Sequence, residues 1–497
     1  MERRIIRILS AVLCVSILLT LTACGDSGRT VIDPDSLETS TVITTESNDT
    51  GSQDENGEQT VSGSSNLRFG VTNTKKMPNF ISKIKNNTLT VLSSSAGGSS
   101  VEFDTQLEIF KELTGIDLKF DTIVVPWSQM PEKLASMVMA GSAPDLFDYA
   151  QSSWLSLLKQ PYWDDLNKYI DFDDALWKDV KNVAPAISTY NGKRVAFFTT
   201  GYGLTGNTII YNTKLVQDAA EGDASLYDPL DMFYDGKWTW SALQKYVEKI
   251  SDPDDGIYGI ALPNNRISAF IATTGNDIIR INSSTQKLEY NLENKNVTRA
   301  FNYAKSLIKL SDLPGTWQGM SMVLSDSLGF FCDVNGAWPL KDSADTIKAV
   351  KAGKILAVPF PRDDNVDVYY SGSLSDPTCI PLKAKNPWLA SAWLYFKRYM
   401  AYNPNKELSA KNEKLYKETY GWPDKLYMLN SPEAHGDVFK KVNVTYTMDV
   451  IPFGERLADF DQDTYWSLAT NVNVLTSQMV EQVGPSLKTA INRFNSK

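Results

Sequence analysis

Side chains able to do chemistry gather behind a short apolar step. Residues 137–154 run from an apolar helix end (Met137, Val138, Met139) into Gly141, then a Pro144-Asp145 turn and the apolar pair Leu146-Phe147. Asp148, Tyr149, Gln151, Ser152 and Trp154 follow at once. In a parallel sheet, ligands collect outside the carboxyl ends of the strands. A carboxylate, an amide and a hydroxyl there hydrogen-bond polar groups, and aromatic faces cover apolar ones. This is the equipment of binding more than of bond making. The chain has a single histidine, His435, in a Ser431-Pro432-Glu433-Ala434 context that reads as a surface loop. One histidine excludes multi-histidine metal sites and leaves triad chemistry dependent on one loop residue. The acidic turn Asp252–Gly256 lacks the spacing and terminal glutamate of an EF-hand, and reads as a plain turn. No cofactor and no metal are expected.

The elements that must position such a mouth are legible on either side. Thr88–Ser93 (TLTVLS) reads as a strand and leads into a Ser/Gly loop that starts with Ser94 and Ser95. Val101, Phe103, Leu107, Phe110 and Leu113 keep close to a 3.6-residue period and stop at Gly115, which predicts a helix. Residues 116–125 form the next strand, 128–140 a second helix and 146–147 a short buried strand. Strand–helix alternation is the signature of a largely parallel α/β sheet. The Ser/Gly loop has neither GxGxxG nor P-loop spacing, so it suits a polar uncharged ligand as well as an anion. Farther on, residues 190–198 and 208–215 are two β-rich runs joined through glycines with no helix between them, the pattern of a strand passing from one lobe to another. Thr239 is placed to cap a helix that begins at Trp240, and residues 258–262 form a strand.

The N-terminus has its own logic. Arg3, Arg4 and Arg7 precede an apolar run from Ile8 to Leu21, which ends in Leu21-Thr22-Ala23-Cys24. A basic region and a short apolar core make a secretory signal, and the ending resembles the bacterial lipobox. Residues 1–23 are thus expected to be a signal peptide and Cys24 a lipidated first residue. Residues 24–86 read as a tether, since the Ser/Thr/Asp-rich part buries too little apolar surface to order itself. No other apolar stretch is long enough to span a bilayer, so membrane contact is expected through the lipid only, on the outer face of the cell membrane. A net charge of −10 argues against nucleic acid as a partner. Cys332 and Cys379 lie on apolar strands and read as buried thiols more than as a bridge.

The order of these pieces resembles a known family from about residue 87 to the C-terminus. AGSAPDLF, NGKRVAFF…TIIYNTKL, WTWSAL, YGIAL, GFFCDVNGAW, AVPFPRD and NPWLASAWLYFKRYM are similar, in order and spacing, to motifs of the extracellular solute-binding proteins of bacterial ABC importers, which include maltodextrin-binding protein. Arg194-Val195-Ala196 and Thr213-Lys214 depart from the family pattern. The resemblance implies a two-lobe, periplasmic-binding-protein-like α/β fold with hinge crossover strands. One lobe takes residues 87–203 and 375–430, the other 207–370 and 431–497. It also implies a monomeric receptor that captures a small-molecule solute, a carbohydrate by preference, and hands it to ABC permease subunits without catalysis.

The residues expected at the cleft follow from the same resemblance. They are Ser94 and Ser95 after the first strand; Asp148, Tyr149, Gln151 and Ser152 after the third; and Thr205 and Asn207 at the crossover. Asn265 and Arg266 follow YGIAL, Trp338 occupies the family's stacking position, and Tyr465 and Trp466 come from the C-terminal region. Plainer readings stand beside several of these. Trp338 and Trp466 have neighbours that suit a core position. Trp238, Trp240, Trp388 and Trp393 read as core, Asp145 as a turn residue, and the acidic runs at 164–165 and 171–174 as solvated caps. Two rivals share the residue types: a glycoside hydrolase, whose paired carboxylates no sequence spacing can place, and a chemosensory receptor of the same fold.

Overall fold

A computed structural model describes residues 80–94, 101–148, 157–177, 184–200, 208–263, 266–313, 318–332, 337–372, 374–402, 406–430, 435–447, 457 and 460–496. Cys24 and residues 1–79 lie outside them, so the signal and the lipobox are sequence expectations only.

Among the described residues, nine strands build the two larger sheets. In chain order they are β1 (Thr88–Ser93), β2 (Lys119–Val124), β3 (Leu146–Asp148), β4 (Phe197–Thr200), β5 (Thr208–Asn212), β6 (Tyr258–Ala261), β7 (Leu328–Phe331), β8 (Ile355–Pro359) and β9 (Leu374–Cys379). The first sheet has the order β2-β1-β3-β9-β4 and the second β8-β5-β7-β6. β1 pairs in parallel with β2, Thr88 opposite Lys119, and with β3, Leu92 opposite Phe147. β9 runs against both β3 and β4. In the second sheet β6 and β7 are parallel, and β5 runs against β7 and β8. Each sheet therefore holds one reversed strand, and each is the first sheet strand after the chain changes sheets. The chain passes from β4 to β5 and later from β8 to β9.

Local sequence explains the pieces. In β1, Leu89 and Leu92 are fully buried. The helix Val101–Thr114 ends where Gly115 takes a φ of +73° and donates its N–H to the Lys111 carbonyl, a left-handed stop that glycine adopts without steric cost. Asn191 and Gly192 both have positive φ and close a hairpin between Thr189–Tyr190 and Lys193–Arg194, as a tight two-residue turn requires. The Thr239 hydroxyl accepts the Ala242 N–H at 3.4 Å and starts the helix Trp240–Ile250. The run 208–215 breaks earlier than its β-rich composition predicts. The Asn212 side chain accepts the Leu215 N–H at 2.9 Å and caps a helix, Thr213–Ala220. His435 likewise opens a helix, His435–Val442, where a loop was expected.

Each sheet carries an aromatic core. On the first, Trp393 of the helix Pro387–Tyr402 meets Phe110 and Phe120 at 5.6 and 5.4 Å between ring centroids. On the second, Trp238 lies 6.0 Å from Phe330 and donates its N–H to the Pro359 carbonyl. Trp240 stacks on Tyr303 at 4.4 Å. These tryptophans are core residues, as their neighbours predicted. Cys332 and Cys379 are buried and unbridged.

The C-terminal third is shared. The helix Lys406–Lys414 packs on Val101–Thr114, where Lys411 pairs with Glu108 at 3.2 Å. After the π-helical turn Leu415–Thr419, Lys425 pairs with Asp231 at 2.5 Å, and the helix Asp424–Asn430 packs against β8. Residues 424–430, placed by sequence with the first lobe, thus make these contacts with the second sheet and cover its edge strand.

Candidate functional site

The crossings fix where a site can lie. β3 is antiparallel to β9 and β9 to β4, so β4 runs the same way as β1 and ends at Thr200, at the carboxyl end of the first sheet. Its continuation enters the second sheet at Thr208. That is the first residue of the reversed strand β5, and it sits level with the carboxyl ends of β7 and β8. The return leaves the second sheet at Pro359, the carboxyl end of β8, and enters the first at Leu374 after residues 360–373. Both crossings therefore run from the carboxyl-end rim of one sheet to that of the other. At the start of β9 the pairing with β4 slips between Leu374 and Pro377. Proline has no N–H to give the ladder, so the strand is irregular where the chain changes sheets.

The first rim is set by Asp145. Its carboxylate accepts the Thr90 N–H at 3.0 Å and the Asn386 N–H at 2.6 Å, while its own N–H goes to the Thr90 carbonyl. This buried side chain ties β1 and the turn before β3 to the start of the helix Pro387–Tyr402, a structural role as expected. Ser94, one residue past β1, is half-buried. Asp148 closes β3 opposite Thr378, which puts its backbone beside Ser94's end of β1. Ser95, Tyr149, Gln151, Ser152, Thr205, Asn207 and Asn265 lie outside the described residues.

On the second rim, β6 and β7 end side by side. Arg266 follows β6, buried, with its N–H on the Pro263 carbonyl at 2.8 Å at the start of the helix Ile267–Ala272. Trp338 follows β7 and opens the 3-10 turn Trp338–Lys341; its side chain is outside the described set. Ser94 and Asp148 thus stand at the ends of the neighbouring strands β1 and β3, while Arg266 and Trp338 each follow one of the neighbouring strands β6 and β7. Tyr465 is elsewhere. It is 2 % exposed, with Phe301 and Phe460 centred 6.0 and 5.7 Å from its ring. Packed on the helix Lys295–Ser311, it is a core residue and offers no open face. Trp466 is half-buried against the same core, and its carbonyl accepts the Thr470 hydroxyl at 2.9 Å.

Lys341 of this turn and two tyrosines packed on it escaped the sequence reading. The Lys341 ammonium hydrogen-bonds the Tyr416 hydroxyl and lies 4.5 Å from the centre of the Tyr416 ring and 5.8 Å from that of Tyr420. Both rings are half-buried. The four-residue spacing of the two tyrosines was the available signal. Arg194, the departure from the family pattern, is buried, with its guanidinium 4.6 Å from the Phe172 ring centre. Burial lowers its pKa to about 10. A groove of ≈ 500 Å³ lies between the helices Lys295–Ser311 and Thr476–Asn495, lined by Glu293, Glu481, Gly484 and Lys488. It contains none of the expected cleft residues. Among the described residues no cluster of histidine, cysteine or acidic side chains is set to hold a metal, and no helix is long and apolar enough to cross a membrane.

Comparison with known proteins completes the picture. Among solved structures, the galacto-N-biose/lacto-N-biose I-binding protein of an ABC transporter from Bifidobacterium longum, in complex with lacto-N-biose, is 13% identical with a TM-score of 0.54, over 82% of this chain and 98% of that one. An ABC substrate-binding protein from Listeria monocytogenes in complex with cycloalternan is 15% identical with a TM-score of 0.53, over 83% and 98%. A Staphylococcus aureus extracellular solute-binding protein in complex with maltose is 15% identical with a TM-score of 0.52, over 82% and 98%. At these identities the likeness speaks for the fold, which is the two-lobe, periplasmic-binding-protein-like fold. No curated protein matches the sequence. The family profile of bacterial extracellular solute-binding proteins matches residues 105–407, more than half of the chain. The chain belongs to the family of bacterial extracellular solute-binding proteins.

Proposed function

We propose that this protein captures a carbohydrate, an oligosaccharide by preference, between its two lobes and delivers it to the permease of an ABC importer. The observation that carries the reading is that both strand crossings join the carboxyl-end rim of one sheet to that of the other, in a member of this family. The neighbours named above, which hold lacto-N-biose, cycloalternan and maltose, support a sugar as the solute. Residues 87–203 and 375–430 would form one lobe and 207–370 and 431–497 the other, with the switch after Leu415 as the point to refine.

In this reading Ser94, Ser95, Asp148, Tyr149, Gln151 and Ser152 line one jaw. Asn265, Arg266 and Trp338 line the other, and Thr205 and Asn207 lie at the hinge between them. Trp466 joins only through its exposed part. Hydroxyl groups of the sugar meet the carboxylate, amide and guanidinium, and a ring face stacks on Trp338. No catalytic step is included. The anchor is a lipid on Cys24, the tether follows it, and the receptor works as a monomer at the outer face of the membrane.

The test is a thermal-shift screen against a broad panel of mono- and oligosaccharides. A bound solute at a hundred times its Kd stabilises the folded state by about 2.7 kcal/mol, enough to raise the melting temperature by several degrees. If no sugar in the panel moves the transition, the carbohydrate assignment fails.

A further inference from the structure

We propose that Lys341 is a positioning residue, which fixes the turn carrying Trp338 by gripping two tyrosines at the π-helical turn Leu415–Thr419. The turn Trp338–Lys341 has little to hold it from within. Ala337, which precedes it, supplies no side-chain cap, and Pro339 has no N–H to give. Its backbone bonds are long: the Leu340 N–H reaches the Ala337 carbonyl at 3.2 Å, and the Asp342 N–H reaches the Pro339 carbonyl at 3.3 Å. Such lengths lie at the weak end of N–H···O bonding. Side chains must therefore anchor it. Leu340 is fully buried and fixes one side. Lys341 fixes the other, with its ammonium bonded to the Tyr416 hydroxyl and within 6 Å of the centres of both tyrosine rings, the range in which a cation is attracted to a ring.

The tyrosines are themselves held. The Tyr420 N–H reaches the Leu415 carbonyl at 3.1 Å, and the Trp422 N–H reaches the Tyr416 carbonyl at 2.9 Å. The Tyr416 ring meets those of Trp422 and Tyr427 at 4.7 and 6.0 Å, and both partners are buried. At Gly421, with a φ of +75°, a Cβ would stand 2.4 Å from Cγ of Lys351. Lys351 ends the helix Ala344–Lys351, which starts from a capping box on Ser343, two residues after Lys341. The tyrosine segment thus touches residues 341–351 at both ends. π-Helical turns are rare and recur at functional sites. A turn already fixed before a solute arrives loses less freedom on binding, which strengthens binding without a new contact to the solute. Lys341 acts in this way, through the backbone that presents Trp338.

This role rests on the proposed solute-binding reading for its purpose. Its test needs no solute, so the two fail separately. Fluorine NMR is recorded on the solute-free protein labelled with 5-fluorotryptophan, which marks all 12 tryptophans. W338F identifies the signal of Trp338. K341M keeps the apolar stem and removes the cation; K341R keeps a cation and a donor. K488M is the control, because Lys488 makes the same kind of contact elsewhere, 4.3 Å from the centre of the Tyr290 ring. In K341M the Trp338 signal should move by more than its own linewidth. Apart from Trp422, which touches Tyr416, the other signals and the melting temperature should stay as in wild type. K341R should return the Trp338 signal towards its wild-type position, and K488M should leave it unmoved. A Trp338 signal unchanged in K341M, or equally displaced in K341R or K488M, overturns the assignment. So does a shift shared by all the tryptophans with a lowered melting temperature, which would make Lys341 a residue of the fold alone.

Discussion

At the scale of single residues, the acidic positions divide by what their oxygens touch. The sequence assigned Asp145, Asp164 and Asp165 to turns and caps. Asp145 and Asp165 fit that reading: Asp165 accepts the Asn167 and Arg194 N–H groups at 3.1 and 3.0 Å. Asp164 goes further. It is largely buried, accepts the Tyr169 hydroxyl at 2.5 Å and is bonded by the Lys168 ammonium. Burial alone would raise its pKa, but these bonds outweigh it and hold the carboxyl below its ordinary value. A depressed folded-state pKa means that the unfolded chain takes up the proton more readily. The stability contributed by Asp164 is then complete above the ordinary carboxylate range and is lost as the pH falls through the depressed value. Asp164→Asn should cost about 1–3 kcal/mol at neutral pH, with melting curves that converge on wild type in strong acid. A cost that stays constant with pH would mean that the charge of Asp164 adds nothing. The tyrosine was invisible in the sequence because Tyr169 stands five positions away and joins Asp164 only through a 3-10 turn, Leu166–Lys168.

At the scale of elements, periodicity was a good guide wherever an element lies on one side of a sheet. β1 and the helix Val101–Thr114 fall where the alternation and the 3.6-residue spacing put them. It failed where one hydrogen bond overrides composition, as when Asn212 turns a β-rich run into a helix. It also gave no hint that Tyr465 faces Phe301, because a core ring and an open ring have the same type. Close approach is likewise legible only in three dimensions. The helix Trp240–Ile250 lies so near β6 and β7 that a Cβ on Gly259 would stand 2.6 Å from the Val247 carbonyl oxygen and 2.5 Å from the Ser251 hydroxyl. The backbone carbonyl cannot rotate away. Gly259→Ala should therefore push the helix off the sheet and destabilise the protein by about 1–3 kcal/mol, read as a lower midpoint in urea with an unchanged slope. Gly141→Ala is a useful contrast. Nothing lies within 4 Å of its Cβ, and any cost there comes from its φ of +72°.

At the scale of the whole molecule, the proposed reading is capture, and the rival is turnover. In the proposed reading, a solute between the rims touches residues carried by both sheets, and its binding is coupled to closure. The family and the fold are those of receptors, whereas a hydrolase of similar composition would need two carboxyl groups about 5 to 9 Å apart across a bond. Among the expected cleft residues only Asp148 carries a carboxylate, and Arg266 supplies a cation. One experiment separates the alternatives. A receptor's melting temperature keeps rising with the logarithm of solute concentration far above Kd, gaining about 1.4 kcal/mol for each further tenfold. The solute is recovered intact after prolonged incubation with the protein. A hydrolase shows a shift that decays with time as its substrate disappears, and shorter sugars appear on the chromatogram. The expected result is a stable, logarithmic shift with full recovery of the oligosaccharide. Any time-dependent shortening that scales with protein concentration would replace the receptor with an enzyme.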